Sequence, residues 1–212
     1  MPELLVIQPS SLGDIAHGLR VVAAVKARNP EWRVSWVVRD IFAPLVRAST
    51  VVDQTFVFQR HEGARAFLRL MREVRRKEFD VVFDFQGLLR SGLMTKWSRA
   101  ARKIGRTDAR EGSGIFYGER APLPAAGRQA HLLEILLQFC PLVGAAPQTE
   151  GPLVFREMDR LNLDFMEPRR GLRPVLIFPD SRREDLKWGG YGPFSSLLVR
   201  ELGRKVVWAG AA

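Results

Sequence analysis

LLVIQPSSLGDIAH, residues 4–17, contains a short apolar run that breaks at Pro9, a turn with two serines and a glycine, and the start of an amphipathic helix. This order is typical of a first β-strand that leads through a tight turn into a helix. In an open α/β sheet, ligands bind beyond the carboxyl ends of the strands, where such turns lie. The stretch therefore predicts an α/β fold with a binding site close to Asp14.

Further along the chain, strand-like apolar runs alternate with helix-like segments, which indicates a doubly wound, mostly parallel, Rossmann-like sheet. Residues 87–106 are helix-like at first and then strongly basic. The predicted strands are residues 4–7, 34–38, 51–58 and 79–85, and the predicted helices are residues 15–28, 64–77 and 131–139.

After a predicted linker at residues 167–174, the pattern restarts as strand, helix and strand. These last elements are too few to cover both faces of a parallel sheet. We therefore expect residues 1–166 to form one domain and residues 167–212 to form the beginning of a second, incomplete domain.

Composition restricts the class of protein. The single cysteine, Cys140, excludes an intramolecular disulfide and a cysteine-built metal site. No apolar stretch approaches the roughly 20 residues that span a bilayer, and the first three residues do not resemble a signal peptide. We therefore expect a cytoplasmic protein. The net charge of +10 suggests an anionic partner, which is nucleic acid, an acidic membrane surface or an acidic substrate, although an arginine-rich proteome would give the same charge.

Asp14 has two interpretations. A carboxylate just beyond the first strand is placed to take a proton from an attacking hydroxyl group, as a general base does. Asp and Ser are also common at helix N-termini, because they satisfy free backbone amides there. His17 lies three residues further on and can share the helix face of Asp14, but a lone helical histidine is more often packed or exposed than catalytic.

Two charged segments are further candidates. Residues 90–110 contain no acid before Asp108, so they predict either a docking surface for phosphates and carboxylates or a solvated helix face. Residues 179–188, PDSRREDLKW, follow a strand and precede a helix. Ser181, Lys187 and backbone amides could meet there around a phosphate, or the segment is a charged surface loop. No motif for a bound metal or a Walker-type nucleotide site is present.

Together these motifs resemble the bacterial lipopolysaccharide heptosyltransferases, glycosyltransferase family 9. Members of that family begin with a strand and Pro/Thr-Ser-Ser-Leu/Met-Gly-Asp-Ile/Val-x-His, as in residues 9–17. They also contain Asp-x-Gln-Gly-Leu-x-Lys/Arg-Ser, as in residues 84–91. The resemblance covers residues 1–140 well and continues more weakly to the end. An Arg-Glu pair followed by Phe-Tyr is matched by Arg110, Glu111, Phe116 and Tyr117.

The resemblance implies a GT-B architecture of two Rossmann-like domains and an inverting transfer that needs no metal or other cofactor. It implies that the N-terminal domain binds the acceptor, the phosphorylated and Kdo-bearing core of lipid A, and that the C-terminal domain binds the donor, ADP-heptose. Asp14 would be the general base. Ser181 and Lys187 would contact the donor diphosphate, although members usually show Gly-Ala-Ser and Lys-x-Trp-Pro in this region. The implied acceptor residues are Ser10, Ser11, Gly13, His17, Arg90, Lys96, Arg110 and Arg120.

The implied partners are therefore a nucleotide-sugar donor, an anionic lipid acceptor and the inner face of the cytoplasmic membrane, whose negative charge attracts a basic protein. Two alternatives remain open. A truncated or degenerate family member would bind the glycolipid without transferring sugar. A nucleic-acid-binding protein, indicated by charge alone, would show steeply salt-dependent affinity for duplex DNA.

Overall fold

In the computed structural model the chain forms two compact units, Met1–Glu157 and Met158–Ala212. The predicted boundary between residues 166 and 167 lies outside the residues that the structure describes. Those residues are 1–149, 152–156, 173–180, 185 and 187–210.

The first unit is built on a sheet of six strands, whose order is β3-β2-β1-β4-β5-β6. Every neighbouring pair is parallel. This is the strand order of the dinucleotide-binding fold, which reverses direction between the first and the fourth strand. The predicted Rossmann-like sheet is therefore confirmed. Its strands are β1 (Glu3–Ile7), β2 (Arg33–Arg39), β3 (Gln54–Phe58), β4 (Glu78–Asp84), β5 (Arg99–Arg106) and β6 (Glu119–Ala121).

Helices cover both faces of this sheet. Residues alternate in direction along a strand, so Leu4 and Val6 of β1 pack into one core cluster and Leu5 and Ile7 into another. Because both faces are covered, β1 is a continuous apolar run. The first helix begins at Leu12, three residues earlier than predicted. The helices described in this unit are α1 (Leu12–Arg28), α2 (Ala43–Ala48), α3 (Gly63–Val74), α4 (Leu89–Trp97) and α5 (Leu132–Leu137).

The prediction for residues 87–106 was incomplete. The helix-like part is α4, but the basic part that follows is the strand β5. Only Ile104 and Gly105 of β5 are buried, and Arg99 and Arg102 pair with acids on the neighbouring strands. Arg102 donates two hydrogen bonds to the Glu119 carboxylate of β6, at 2.6 and 2.7 Å. Because these charged residues take the place of apolar ones, β5 lacks the apolar periodicity from which a strand is normally predicted.

Residues 152–156 bind to the surface of the same unit beside α2. The Arg156 backbone N–H donates to the Ala48 carbonyl at 2.7 Å. Its guanidinium group donates to the carbonyls of Arg47, Ser49 and Val52. The last carbonyls of a helix have no partner within the helix, so Arg156 closes the C-terminal end of α2 and the loop that leads to β3.

Cys140 lies in the core of the first unit, at the start of the short 3₁₀ helix Cys140–Val143, and its side chain is completely buried. Burial disfavours the thiolate and raises the pKa of the thiol to about 12.

The second unit contains a parallel strand pair, β7 (Val175–Ile177) and β8 (Val206–Trp208), with the helix α6 (Tyr191–Arg200) between them in the chain. This is the strand–helix–strand order that the sequence predicts. In neither unit does a described helix have the length and apolar character needed to cross a membrane.

Candidate functional site

A cleft of about 670 Å³ opens at the carboxyl ends of four parallel strands of the first unit. Ser10 follows β1, Arg39 ends β2, Phe58 ends β3 and Gln86 follows β4, and all four residues line it. The reversal of strand order between β1 and β4 separates the loops that leave these strands, and ligands of open α/β sheets bind at this point. The cleft is therefore the candidate site.

Its walls combine apolar surface with positive charge. The rings of Phe58 and Phe67 meet edge to face, with centroids 6.4 Å apart, and the Arg90 guanidinium lies 5.8 Å from the Phe58 centroid. Arg39 and Arg60 add two further guanidinium groups. Within the described ranges, none of these three arginines forms an ion pair. The cleft is thus suited to a ligand with carboxylate or phosphate groups.

A hydrogen bond joins the loops after β1 and β4 at this edge. The backbone N–H of Ser10 donates to Gln86 Oε1 at 3.2 Å. This hydrogen bond fixes the position of the turn that precedes Asp14. Gln86 itself lines the cleft, so the turn is held at the edge of the cleft.

The buried carboxylate of Asp84 holds the Gln86 loop in place. Asp84 Oδ1 accepts from the backbone N–H groups of Gln86 and Gly87, both at 3.0 Å, and Oδ2 accepts from the Tyr117 hydroxyl at 2.8 Å. Burial raises the pKa of Asp84, against the opposing effect of these hydrogen bonds. Burial and the adjacent Asp84 also raise the pKa of Tyr117. A Cβ at Gly105 would lie 2.2 Å from the Tyr117 ring, so only glycine lets this ring reach Asp84.

Asp14 lies in the first turn of α1 and serves as a cap. Its Oδ2 accepts from the backbone N–H and the hydroxyl of Ser11, both at 3.0 Å. Of the predicted residues in this region, Ser10 lines the cleft, while Ser11, Gly13 and Asp14 are not part of its lining. The capping role of Asp14 is therefore observed, and its role as a base remains a prediction.

His17 takes part in helix packing. Its ring meets the ring of His131 edge to face, with centroids 4.8 Å apart, and His131 Nδ1 accepts from the Leu133 N–H at the start of α5. His17 thus contacts the residue that caps α5 and does not line the cleft.

Three of the arginines in residues 90–110 form ion pairs, and the interpretation of this run as a docking surface remains a prediction. Arg99 pairs with Glu78, Arg102 with Glu119 and Arg106 with Asp108. The run crosses a helix, a strand and a turn, so these residues do not share one helix face.

Of the four basic residues predicted to bind the acceptor, Arg90 alone lines the cleft. Lys96 Nζ lies 5.5 Å from the Phe116 ring centroid. The Arg110 backbone N–H donates to the Gly87 carbonyl at 2.8 Å, and Arg120 donates to the Gly114 carbonyl at 3.1 Å.

The predicted donor residues belong to the second unit. Lys187 lies between β7 and α6, and Ser181 is outside the described residues. The described residues contain no group of three or more His, Cys, Asp or Glu side chains able to hold a metal ion.

The site residues that sequence reasoning missed are Arg39, Arg60, Gln86 and Glu111. Gln86 and Glu111 belong to the motifs at residues 84–91 and 110–117, in which basic residues were predicted to bind the acceptor and these two were not. Arg39 and Arg60 belong to no motif. Their position was the available signal, because each lies at or just after the carboxyl end of a strand.

Comparison with known proteins agrees with the sequence motifs, although no family model matches the chain. The lipopolysaccharide core heptosyltransferase OpsX of Haemophilus influenzae is 26% identical over 193 residues, which cover 88% of this chain and 53% of that protein. Lipopolysaccharide heptosyltransferase 1 of Escherichia coli K12 is 25% identical over 200 residues, covering 88% of this chain and 60% of that protein. The chain thus spans between half and two thirds of the length of these relatives.

Solved structures show the same fold. The E. coli heptosyltransferase WaaC with ADP has a TM-score of 0.79 and 22% identity, over 99% of this chain and 67% of that chain. A family 9 glycosyltransferase from Veillonella parvula also has a TM-score of 0.79, with 16% identity, over 99% of this chain and 62% of that chain.

Strand order, the cleft at its reversal point and these structural matches define an α/β protein with the Rossmann-like fold that these glycosyltransferase structures share. The sequence relatives are lipopolysaccharide heptosyltransferases, and the motifs at residues 9–17 and 84–91 resemble those of glycosyltransferase family 9.

Proposed function

We propose that this chain contributes the acceptor-binding part of an inverting heptosyltransferase, which transfers heptose from ADP-heptose to the Kdo/heptose inner core of lipopolysaccharide. One observation carries the proposal: three guanidinium groups without an ion-pair partner in the described part of the chain, from Arg39, Arg60 and Arg90, surround a cleft at the reversal of strand order. Such groups match the carboxylate and phosphate groups of a Kdo-bearing lipid A core.

Asp14 is the proposed base. It would take the proton of the attacking acceptor hydroxyl, whose oxygen forms a bond to the anomeric carbon while the bond to the diphosphate breaks and ADP leaves. The hydrogen bond between Ser10 and Gln86 supports this role, because it fixes the turn before Asp14 against the cleft. A single displacement of this kind inverts the anomeric configuration and has no step that requires a metal ion or another cofactor.

The remaining assignments are part of the same proposal. Residues 167–212, with Ser181 and Lys187, would belong to the donor-binding domain, and Ser11, Gly13, His17, Lys96, Arg110 and Arg120 would border the acceptor outside the cleft lining. The acceptor is a membrane lipid, so the protein would act in the cytoplasm at the inner face of the membrane.

The test incubates the protein with ADP-heptose and Kdo-lipid A and follows ADP release and the mass of the lipid, while binding of Kdo-lipid A is measured separately by co-sedimentation. The expected result is a heptose-sized mass increase matched by released ADP. Binding of Kdo-lipid A with no transfer would instead support the non-catalytic alternative. Failure of the protein to bind Kdo-lipid A would refute the assignment of the cleft.

A further inference from the structure

Glu111 is the acidic member of a cleft lining that is otherwise neutral or basic in the described part of the chain. Its Oε2 accepts the backbone N–H of Leu89, the first residue of α4, at 3.1 Å. Its φ is +55°, in the left-handed region that residues other than glycine seldom occupy. Such conformations persist where the surrounding structure enforces them, and they concentrate at binding and active sites.

The turn that carries Glu111 is held from both sides. Before it, the Arg110 N–H donates to the Gly87 carbonyl at 2.8 Å. After it, the Ser113 N–H and hydroxyl donate to the Arg110 carbonyl, at 3.0 and 2.8 Å. Ser113 is completely buried against α4, where a Cβ at Gly92 would lie 2.9 Å from Ser113 Cβ. These contacts fix Glu111 in the cleft wall independently of its own side chain.

The position of the carboxylate has a chemical consequence. The free N–H groups and the dipole at a helix N-terminus attract anions, and at α4 the Glu111 carboxylate already occupies this position. A second anion there would meet a like charge, whereas a hydroxyl group could donate a hydrogen bond to the carboxylate. An acidic group of a ligand is therefore directed to the arginines, and its hydroxyl groups to Glu111.

We propose that Glu111 determines the specificity of the cleft: with Arg39, Arg60 and Arg90 it selects a polyhydroxylated sugar acid and discriminates against simple anions. This inference rests on the proposed function, since it assumes that the cleft binds an anionic acceptor sugar. It adds that the negative charge of Glu111 is needed for selectivity.

The test compares the dissociation constants of free Kdo and of inorganic phosphate, measured by calorimetry on the wild-type chain and on Glu111→Gln. Glutamine keeps a carbonyl oxygen for the Leu89 N–H and removes the charge. We expect phosphate to bind more tightly and the preference for Kdo over phosphate to fall roughly tenfold, because the like charge is gone. Glu134→Gln, an exposed change on α5 with the same effect on net charge, should leave the preference unchanged.

Glu111→Gly provides a second variant, because glycine adopts a positive φ without strain. It should fold and lose the preference as Glu111→Gln does. If wild type binds Kdo and both variants keep its preference over phosphate, the role of Glu111 is refuted while the proposed function stands. If wild type binds neither probe, the proposed function fails and this inference fails with it.

Discussion

Asp14 combines a structural contact with a proposed chemical role, and the two can be separated. In Asp14→Asn an amide oxygen still accepts from Ser11, so the cap is largely retained, whereas the base is lost. In Asp14→Ala both are lost, and removal of such a cap costs about 1 kcal/mol of unfolding free energy.

We expect both variants to reduce heptose transfer at least about a hundredfold, the scale of a general base, and only Asp14→Ala to lower stability measurably. ADP release and urea unfolding are the two measurements. Transfer at the wild-type rate by Asp14→Asn would exclude Asp14 as the base.

Asp84 gives a prediction about pH. Burial raises its pKa in the folded protein above the ordinary value of 3.8, so between these two pKa values the folded state binds more protons than the unfolded state. The contribution of Asp84 to stability is then greatest below about pH 4 and declines as pH rises through the folded pKa. Asp84→Asn should remove this decline, seen as a more positive slope of unfolding free energy against pH.

Asp108 supplies the opposite control. The hydrogen bond from Arg106 lowers its pKa, so its contribution is present above the ordinary pKa and is lost as pH falls. Asp108→Asn should therefore make the slope less positive in the acid range. Equal slopes for wild type and Asp84→Asn would contradict the account of Asp84.

At the scale of elements, the sequence predicted those strands and helices whose buried faces are apolar. β1 and α1 are covered by neighbours, so their apolar periodicity is complete and both were predicted. β5 and β6 were not predicted. Arg102 of β5 and Glu119 of β6 are joined by hydrogen bonds where two apolar residues would otherwise pack, so neither strand shows a clear apolar pattern. The cleft position followed from the turn after β1. Its arginines and Glu111 could not be predicted, because they converge only when four strands are aligned.

The contact between residues 152–156 and α2 depends on a planar guanidinium group. Arg156→Lys keeps the charge but cannot reach the three carbonyls of Arg47, Ser49 and Val52 together. We expect a loss of about 1–3 kcal/mol of unfolding free energy in urea titrations.

Arg47→Ala is the matched control, because it removes an exposed arginine but keeps the carbonyl that Arg156 binds. It should change stability much less than Arg156→Lys does. A similar loss in both variants would indicate a general effect of charge at this surface.

The whole chain has a net charge of +10, which bears on where it would meet the proposed lipid acceptor. We expect it to bind vesicles that contain anionic phospholipid and not vesicles of phosphatidylcholine alone. Binding should weaken sharply as salt is raised from about 0.05 to 0.3 M, because the Debye length shrinks. Co-sedimentation measures both effects, and binding that is insensitive to salt would argue against electrostatic attachment to the membrane.

The buried thiol of Cys140 has a practical consequence for spectroscopy. Only the thiolate reacts with maleimides at an appreciable rate, and a pKa of about 12 together with complete burial leaves almost none available at neutral pH. The chain has no other cysteine. A fluorophore attached through Ile115→Cys, at a side chain that is 79% exposed, would therefore label a single site without removal of the native cysteine.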